Sequence, residues 1–138
     1  LNALNPTEAG SEESRALLEQ VFGRPWPVVS PTLLLVEVTA AVARVFDDAE
    51  CGLAVARAVR GLPGQVWVGL DEDLAEEAAR LAAEHRLRGA DAIYAAVARR
   101  YGATLVTRDR QQLERLRSSL PVLTPTEALE RLGDEGGI

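Results

Sequence analysis

Residues 87–109 read LRGADAIYAAVARRYGATLVTRD, and the order of signals along this stretch decides the fold class. From 90 to 101 the chain is alanine-rich and helical, and Gly102 stops it. Residues 103–107 then read as a strand. Its apolar Leu105 and Val106 are adjacent rather than alternating, the pattern of a parallel strand buried on both faces. Asp109 lies just past that strand, at the sheet edge where open parallel sheets place their ligand sites.

Working outward, the same alternation recurs. Upstream, apolar spacing predicts helices over 7–22, 31–46 and 48–59, with an extended piece at 25–30 and a strand at 65–69 carrying Val66, Trp67 and Val68. Ser30 followed by Pro31 reads as a helix entry, serine capping free amides and proline suiting the first turn. Residues 71–86 form an acidic-first, arginine-last helix, the charge order that complements the helix dipole. Downstream come a helix at 109–117, a short strand at 120–123, and a terminal helix that starts at Pro125 and ends at Gly133. Helices alternating with short apolar strands indicate an α/β fold with a short, mainly parallel central sheet between helical layers. Only four strands can be counted, so the reading places an N-terminal central strand just before Leu1. One domain over 1–132 and a loose tail over 133–138 complete the organisation.

Composition sets the class. A chain of 138 residues, 47% apolar and 26% charged, has the balance of an ordinary globular domain rather than of a disordered segment. Its longest apolar runs, 33–36 and 40–43, are far below the roughly 20 residues of a membrane span, so no membrane partner is expected. The lone Cys51 cannot form an internal disulfide and no signal peptide opens the chain, so a cytoplasmic location fits. All fifteen basic residues are arginine and the net charge is -6. The absence of lysine reads first as codon bias, with phosphate contacts secondary. Charge is nevertheless uneven: residues 86–117 hold eight arginines against Asp91, Asp109 and Glu114, a local balance of +5 in an acidic whole. The chain starts at Leu1 and contains no methionine, which reads as a piece truncated or cleaved upstream.

Several chemistries are excluded. With His85 and Cys51 as the sole residues of their kinds, a tetrahedral zinc site of histidine and cysteine ligands cannot be built within the chain. A Walker-type P-loop needs a lysine, and neither a dinucleotide-binding glycine pattern nor a nucleophile elbow is present. Carboxylate chemistry remains. Glu37 is embedded among Leu33, Leu34, Leu35, Val36, Val38, Ala40 and Ala41, where burying a charge is costly unless it is paired or on a metal. An arginine partner or a polar edge explains it equally well. Asp91 and Asp109 each stand at a helix start, where capping is the alternative to a site role.

At these residues the sequence resembles the PIN-domain family, and within it the small VapC-type toxins of toxin-antitoxin pairs. The stretch SPTLLLVEV over 30–38 resembles the family's serine-led helix with its acidic residue, and LRGADAIYAAVA over 87–98 its aspartate-led helix. LVTRD over 105–109 resembles the strand ending in threonine, any residue, aspartate; PVL at 121–123 and TPTE at 124–127 follow the same order. The resemblance covers nearly the whole chain. It implies a three-layer PIN-like fold and a metal-dependent endoribonuclease in which Asp91, Glu37 and Asp109 bind Mg²⁺ or Mn²⁺, with Thr107 orienting a water or the phosphate. It also implies RNA-backbone contacts from Arg86, Arg88, Arg108 and Arg110, a homodimer, and a cognate antitoxin, with the apolar helices of residues 31–60 as partner surface.

One feature departs from the family. Its first metal-binding aspartate ends an N-terminal strand and runs into a segment resembling LNALN, residues 1–5, so that aspartate is absent here. Glu8 and the Glu12–Glu13 pair are poor substitutes, since the predicted helix contains them. The readings that compete are a PIN-like RNA- or protein-binding module that has lost catalysis, a different α/β ligand-binding domain, and a DNA nuclease.

Overall fold

A computed structural model describes residues 8–24 and 26–135. The readings made for residues 1–7, Pro25 and 136–138 lie outside the described residues. The elements are α1 (Ser11–Phe22), β1 (Val28–Pro31), α2 (Leu33–Phe46), α3 (Ala49–Arg60), β2 (Gln65–Val68), α4 (Glu72–His85), α5 (Gly89–Arg100), β3 (Leu105–Val106), α6 (Arg110–Leu116), β4 (Val122–Leu123) and α7 (Pro125–Glu135).

Short acids start three of the helices. Asp48, Asp71 and Asp109 each hold an extended backbone and accept from amides of the first turn of α3, α4 and α6: Cys51 at 3.1 Å, Leu74 at 2.8 Å, and Gln111 at 2.8 Å. These bonds satisfy N–H groups that have no partner inside the helix. The α4 helix is left through Arg86 in a left-handed conformation, φ 54°.

The strands run parallel in two pairs. Val28 to Pro31 of β1 lie opposite Gln65 to Val68 of β2, and Leu105 and Val106 of β3 opposite Val122 and Leu123 of β4. Among the described residues the pairs are separate two-stranded sheets. Between β1 and β3 runs a groove of about 560 Å³, bordered by Val29, Pro31, Thr104 and Val106 and walled by Leu17 and Val21 of α1 and Tyr94 and Val97 of α5. The central strand expected from the sequence lies outside the described residues. The core gathers Val68, Leu74, Ala78 and Leu81 with Ala92, Ala95, Ala96 and Val97 of α5 and Leu113, Leu116 and Val122. Alanines on α5 let it approach α4 and β1 closely, and this fixes the helix that carries Asp91.

Three local expectations are corrected. Ser30 does not cap α2: it is a buried β1 residue whose hydroxyl donates to Gln65 Oε1 at 3.2 Å. In β1 the amides of Val28 and Thr32 face β2, so Pro31, one position out of phase, lacks an N–H where the pair needs none. Second, Glu8 precedes α1, which starts only at Ser11. Third, Gly133 lies inside α7 rather than ending it, and the helix runs to Glu135, which pairs with Arg131 at 3.7 Å.

The α7 entry is a capping box. The Thr124 N–H donates to Glu127 Oε2 at 2.8 Å and the Glu127 N–H to Thr124 Oγ1 at 3.1 Å, while Arg117 Nη2 donates to Glu127 Oε1 at 3.0 Å. The Thr124 amide, followed by the Arg117 charge, holds the Glu127 carboxyl below its ordinary pKa. A lowered folded-state pKa means stability that is present at neutral pH and is lost as pH falls through that lowered value. Thr124→Ala is expected to cost about 1 kcal/mol. Glu127→Gln is expected to flatten the acid side of the stability profile, as measured by urea unfolding at neutral and acid pH.

Candidate functional site

Asp109 is positioned from both sides. Immediately after β3, Thr107 Oγ1 accepts the Asp109 N–H at 3.1 Å, a short turn that aims the aspartate at the start of α6. Its Oδ1 is committed to the cap, taking the amides of Gln111 and Gln112. Its Oδ2 accepts from Arg88 Nη2 at 3.0 Å.

Asp91 is the third residue of α5, and the cap position belongs to Arg88. The capping alternative therefore falls away for Asp91, whose Oδ2 accepts from Arg88 Nε at 3.1 Å. One guanidinium thus joins two carboxylates 18 positions apart in sequence. The two aspartate side chains are 21% and 29% exposed and Arg88 is 78% exposed, so the acids are largely enclosed and the cation lies outermost. The Asp91 hydrogen bond, then the charges of Asp91 and Asp109, raise the already high pKa of Arg88.

Glu37, the fifth residue of α2, is half-buried and takes no arginine partner in the described structure; Tyr94 O–H donates to its Oε1 at 2.5 Å. Tyr94 lies three residues beyond Asp91 on α5, the spacing that puts two side chains on one helix face. Burial first, then the Glu37 carboxylate, then the Asp91 charge push the phenol well above its ordinary pKa, so Tyr94 stays a neutral donor. Sequence reasoning identifies neither Tyr94 as the Glu37 partner nor Arg88 as the bridge. The i, i+3 spacing of Asp91 and Tyr94 is the signal that points there.

The structure therefore brings Asp91 and Asp109 together at Arg88, and ties Glu37 to the Asp91 face of α5 through Tyr94. Among the described residues no group of three histidine, cysteine or acidic side chains is close enough to enclose a metal ion. The Asp91–Asp109 pair fits a hard divalent cation in its donor chemistry, two carboxylates converging on one positive group.

Of the other arginines, Arg108 packs over Gly10 and pairs with Glu8 at 3.8 Å. Arg86 is exposed, and its backbone carbonyl accepts from Arg115 Nη1. Arg110 is exposed at the first position of α6 and makes no ion pair among the described residues. His85 ends α4 with Nε2 2.9 Å from Ser119 Oγ.

Tyr94→Phe keeps the ring and removes the hydroxyl, so it is expected to free Glu37 and to cost about 1–3 kcal/mol, since the half-buried carboxylate loses its donor. If Glu37 serves the metal-dependent cleavage that the sequence resemblance implies, a loss of about 10- to 100-fold in that activity is expected, the usual cost of losing a group that orients a site residue. Parallel activity and thermal-unfolding measurements check both halves.

A family model described as PIN domain matches residues 1–118. No curated protein matches the chain. No helix among the described residues is long and apolar enough to cross a membrane.

Proposed function

The chain belongs to the PIN domain family, and from that premise we propose that it is a metal-dependent endoribonuclease of the VapC toxin type, held in check by an antitoxin. PIN domains are typically nucleases that use divalent metals, and a nuclease is the reading at that coarser level. The observation that supports the metal-dependent part of this reading is the convergence of Asp91 of α5 and Asp109, just past β3, on one cationic group.

In this proposal Asp91 and Asp109 would hold Mg²⁺ or Mn²⁺. When bound, the ion supplies positive charge to the scissile phosphate and acidifies a water. Tyr94 fixes Glu37 through Oε1, leaving Oε2 to take a proton from the attacking water. Thr107 keeps Asp109 in place through the Asp109 amide, and its own hydroxyl proton remains available to a phosphate oxygen. Arg86, Arg108 and Arg110, all exposed, offer charge to the RNA backbone beside this edge.

The antitoxin and dimer readings draw support from the α2–α3 face. Val36 and Leu53 are exposed there and border a groove of about 610 Å³ lined also by Leu35, Thr39 and Arg57. An apolar surface of this kind is suited to a protein partner.

The expected result is cleavage of single-stranded RNA by the purified chain in Mn²⁺ or Mg²⁺, abolished by EDTA. Cleavage that survives EDTA overturns the metal reading. Faster cleavage of DNA overturns the RNA assignment, and RNA binding without cleavage supports the binding-module alternative.

A further inference from the structure

We infer that Arg88 is a built-in counter-ion of the carboxylate site, which occupies the cation position when metal is absent and must leave for a divalent ion to bind. The inference rests on the metal-nuclease reading and adds a device that sets the site's affinity for its ion.

The geometry is specific. A guanidinium usually meets a carboxylate with two parallel bonds to the same group. Arg88 instead divides its fork, Nε to Asp91 Oδ2 at 3.1 Å and Nη2 to Asp109 Oδ2 at 3.0 Å. Two partly enclosed carboxylates brought together repel each other unless a cation lies between them, and Arg88 supplies that charge. On Asp109 the oxygen it uses is the one that remains for a metal, since Oδ1 is spent on the α6 cap. Arginine and metal therefore compete for Asp109 Oδ2 and for the charge of the Asp91 carboxylate.

Release is easy. The Arg88 side chain is 78% exposed, and the residue stands at the α5 cap position without making a side-chain cap bond. These two carboxylates are its only side-chain hydrogen-bond partners in the described structure. The head group can swing into solvent without repacking the core. Nearby arginines do not substitute for it, since Arg108 is held by Glu8 and Arg110 touches neither Asp91 nor Asp109.

The test is the Mn²⁺ affinity of the full chain, measured by calorimetry for the unmodified protein, Arg88→Gln, Arg88→Lys, Arg110→Gln and Asp91→Asn. Arg88→Gln is expected to bind Mn²⁺ roughly tenfold more tightly, the effect of removing one unit charge at contact distance in a partly exposed site. Arg88→Lys, which keeps the charge and loses the fork, is expected to fall between. Arg110→Gln is expected to change affinity little. In thermal unfolding, Arg88→Gln is expected to melt below the unmodified protein without metal and to gain more from Mn²⁺.

Equal Mn²⁺ affinity in Arg88→Gln and the unmodified protein overturns the inference. So does an equal gain in Arg110→Gln, which marks a general field rather than a plug. If Asp91→Asn binds Mn²⁺ as well as the unmodified protein, or neither binds it, the metal reading itself fails, and the inference fails with it.

Discussion

Asp91→Asn is expected to reduce metal-dependent RNA cleavage by about 100-fold or more, since even groups that merely orient a ligand cost 10- to 100-fold when removed. The fold is expected to survive. Asp91 caps nothing, its side chain meets the exposed Arg88, and asparagine has the same shape in the first turn of α5. Asp109 does not permit so simple a substitution, because it has two jobs divided between its oxygens. Oδ1 caps α6 and Oδ2 faces the cation position. Asparagine caps a helix about as well as aspartate, so Asp109→Asn is expected to lose activity and keep stability. Asp109→Ala is expected to lose activity and also about 1 kcal/mol of stability, since the amides of Gln111 and Gln112 are then unsatisfied. Equal activity in Asp91→Asn and the unmodified chain, assayed in Mn²⁺ with the same RNA, sinks the assignment. An Asp109→Asn protein as unstable as Asp109→Ala contradicts the division of labour.

The helices are legible because their signals are local. Gly102 after α5 and Pro125 at the start of α7 are read from neighbours within four positions. Spacing makes Asp48 and Asp71 the first helical residues, whereas both are caps, an offset of one. Strands are harder. Residues 103–107 read as one strand, but only Leu105 and Val106 are in register with β4, and Thr107 adds one amide bond to Leu123, because pairing depends on where 122 and 123 lie and not on apolar character alone. Ser30 shows the same limit: Ser-Pro suits a helix entry and a strand end equally, and the partner Gln65 that decides between them is 35 positions away.

The site divides along the same line. That Asp91 and Asp109 stand near helix starts and that Asp109 follows a strand can be read from spacing. How each oxygen is used cannot. Arg88 reaches Asp109 across 21 positions and Tyr94 reaches Glu37 across 57, and such contacts exist only once α2, α5 and β3 are assembled. The apolar neighbours of Glu37 require a partner for it, and that is sound physics. The partner is a phenol rather than an arginine, because α5 presents Tyr94 to α2 from one turn beyond Asp91.

Gly52→Val is expected to destabilise the protein by roughly 3 kcal/mol, the upper end of the overpacking range, although sequence alone marks Gly52 only as a weak helix former. Gly52 is buried on α3 where that helix crosses α2. A Cβ there meets the Thr39 carbonyl oxygen at 2.6 Å and the Ala43 Cβ at 3.0 Å. The obstacle is α2 backbone, which cannot turn aside as a flexible side chain does. Thr39 is itself tied down, its hydroxyl donating to the Leu35 carbonyl at 2.7 Å. Relief must come from moving α3 away from α2 or from shifting α2, and α2 carries Glu37 two residues before Thr39. The substitution therefore separates two kinds of failure. If α3 yields, unfolding free energy falls while Mn²⁺ affinity and the Tyr94 environment, read by its fluorescence or ring resonances, stay as they were. If α2 yields, the Glu37–Tyr94 bond is disturbed and activity falls beyond what the remaining folded fraction explains. A Gly52→Val protein as stable as the unmodified chain contradicts the close approach of the two helices.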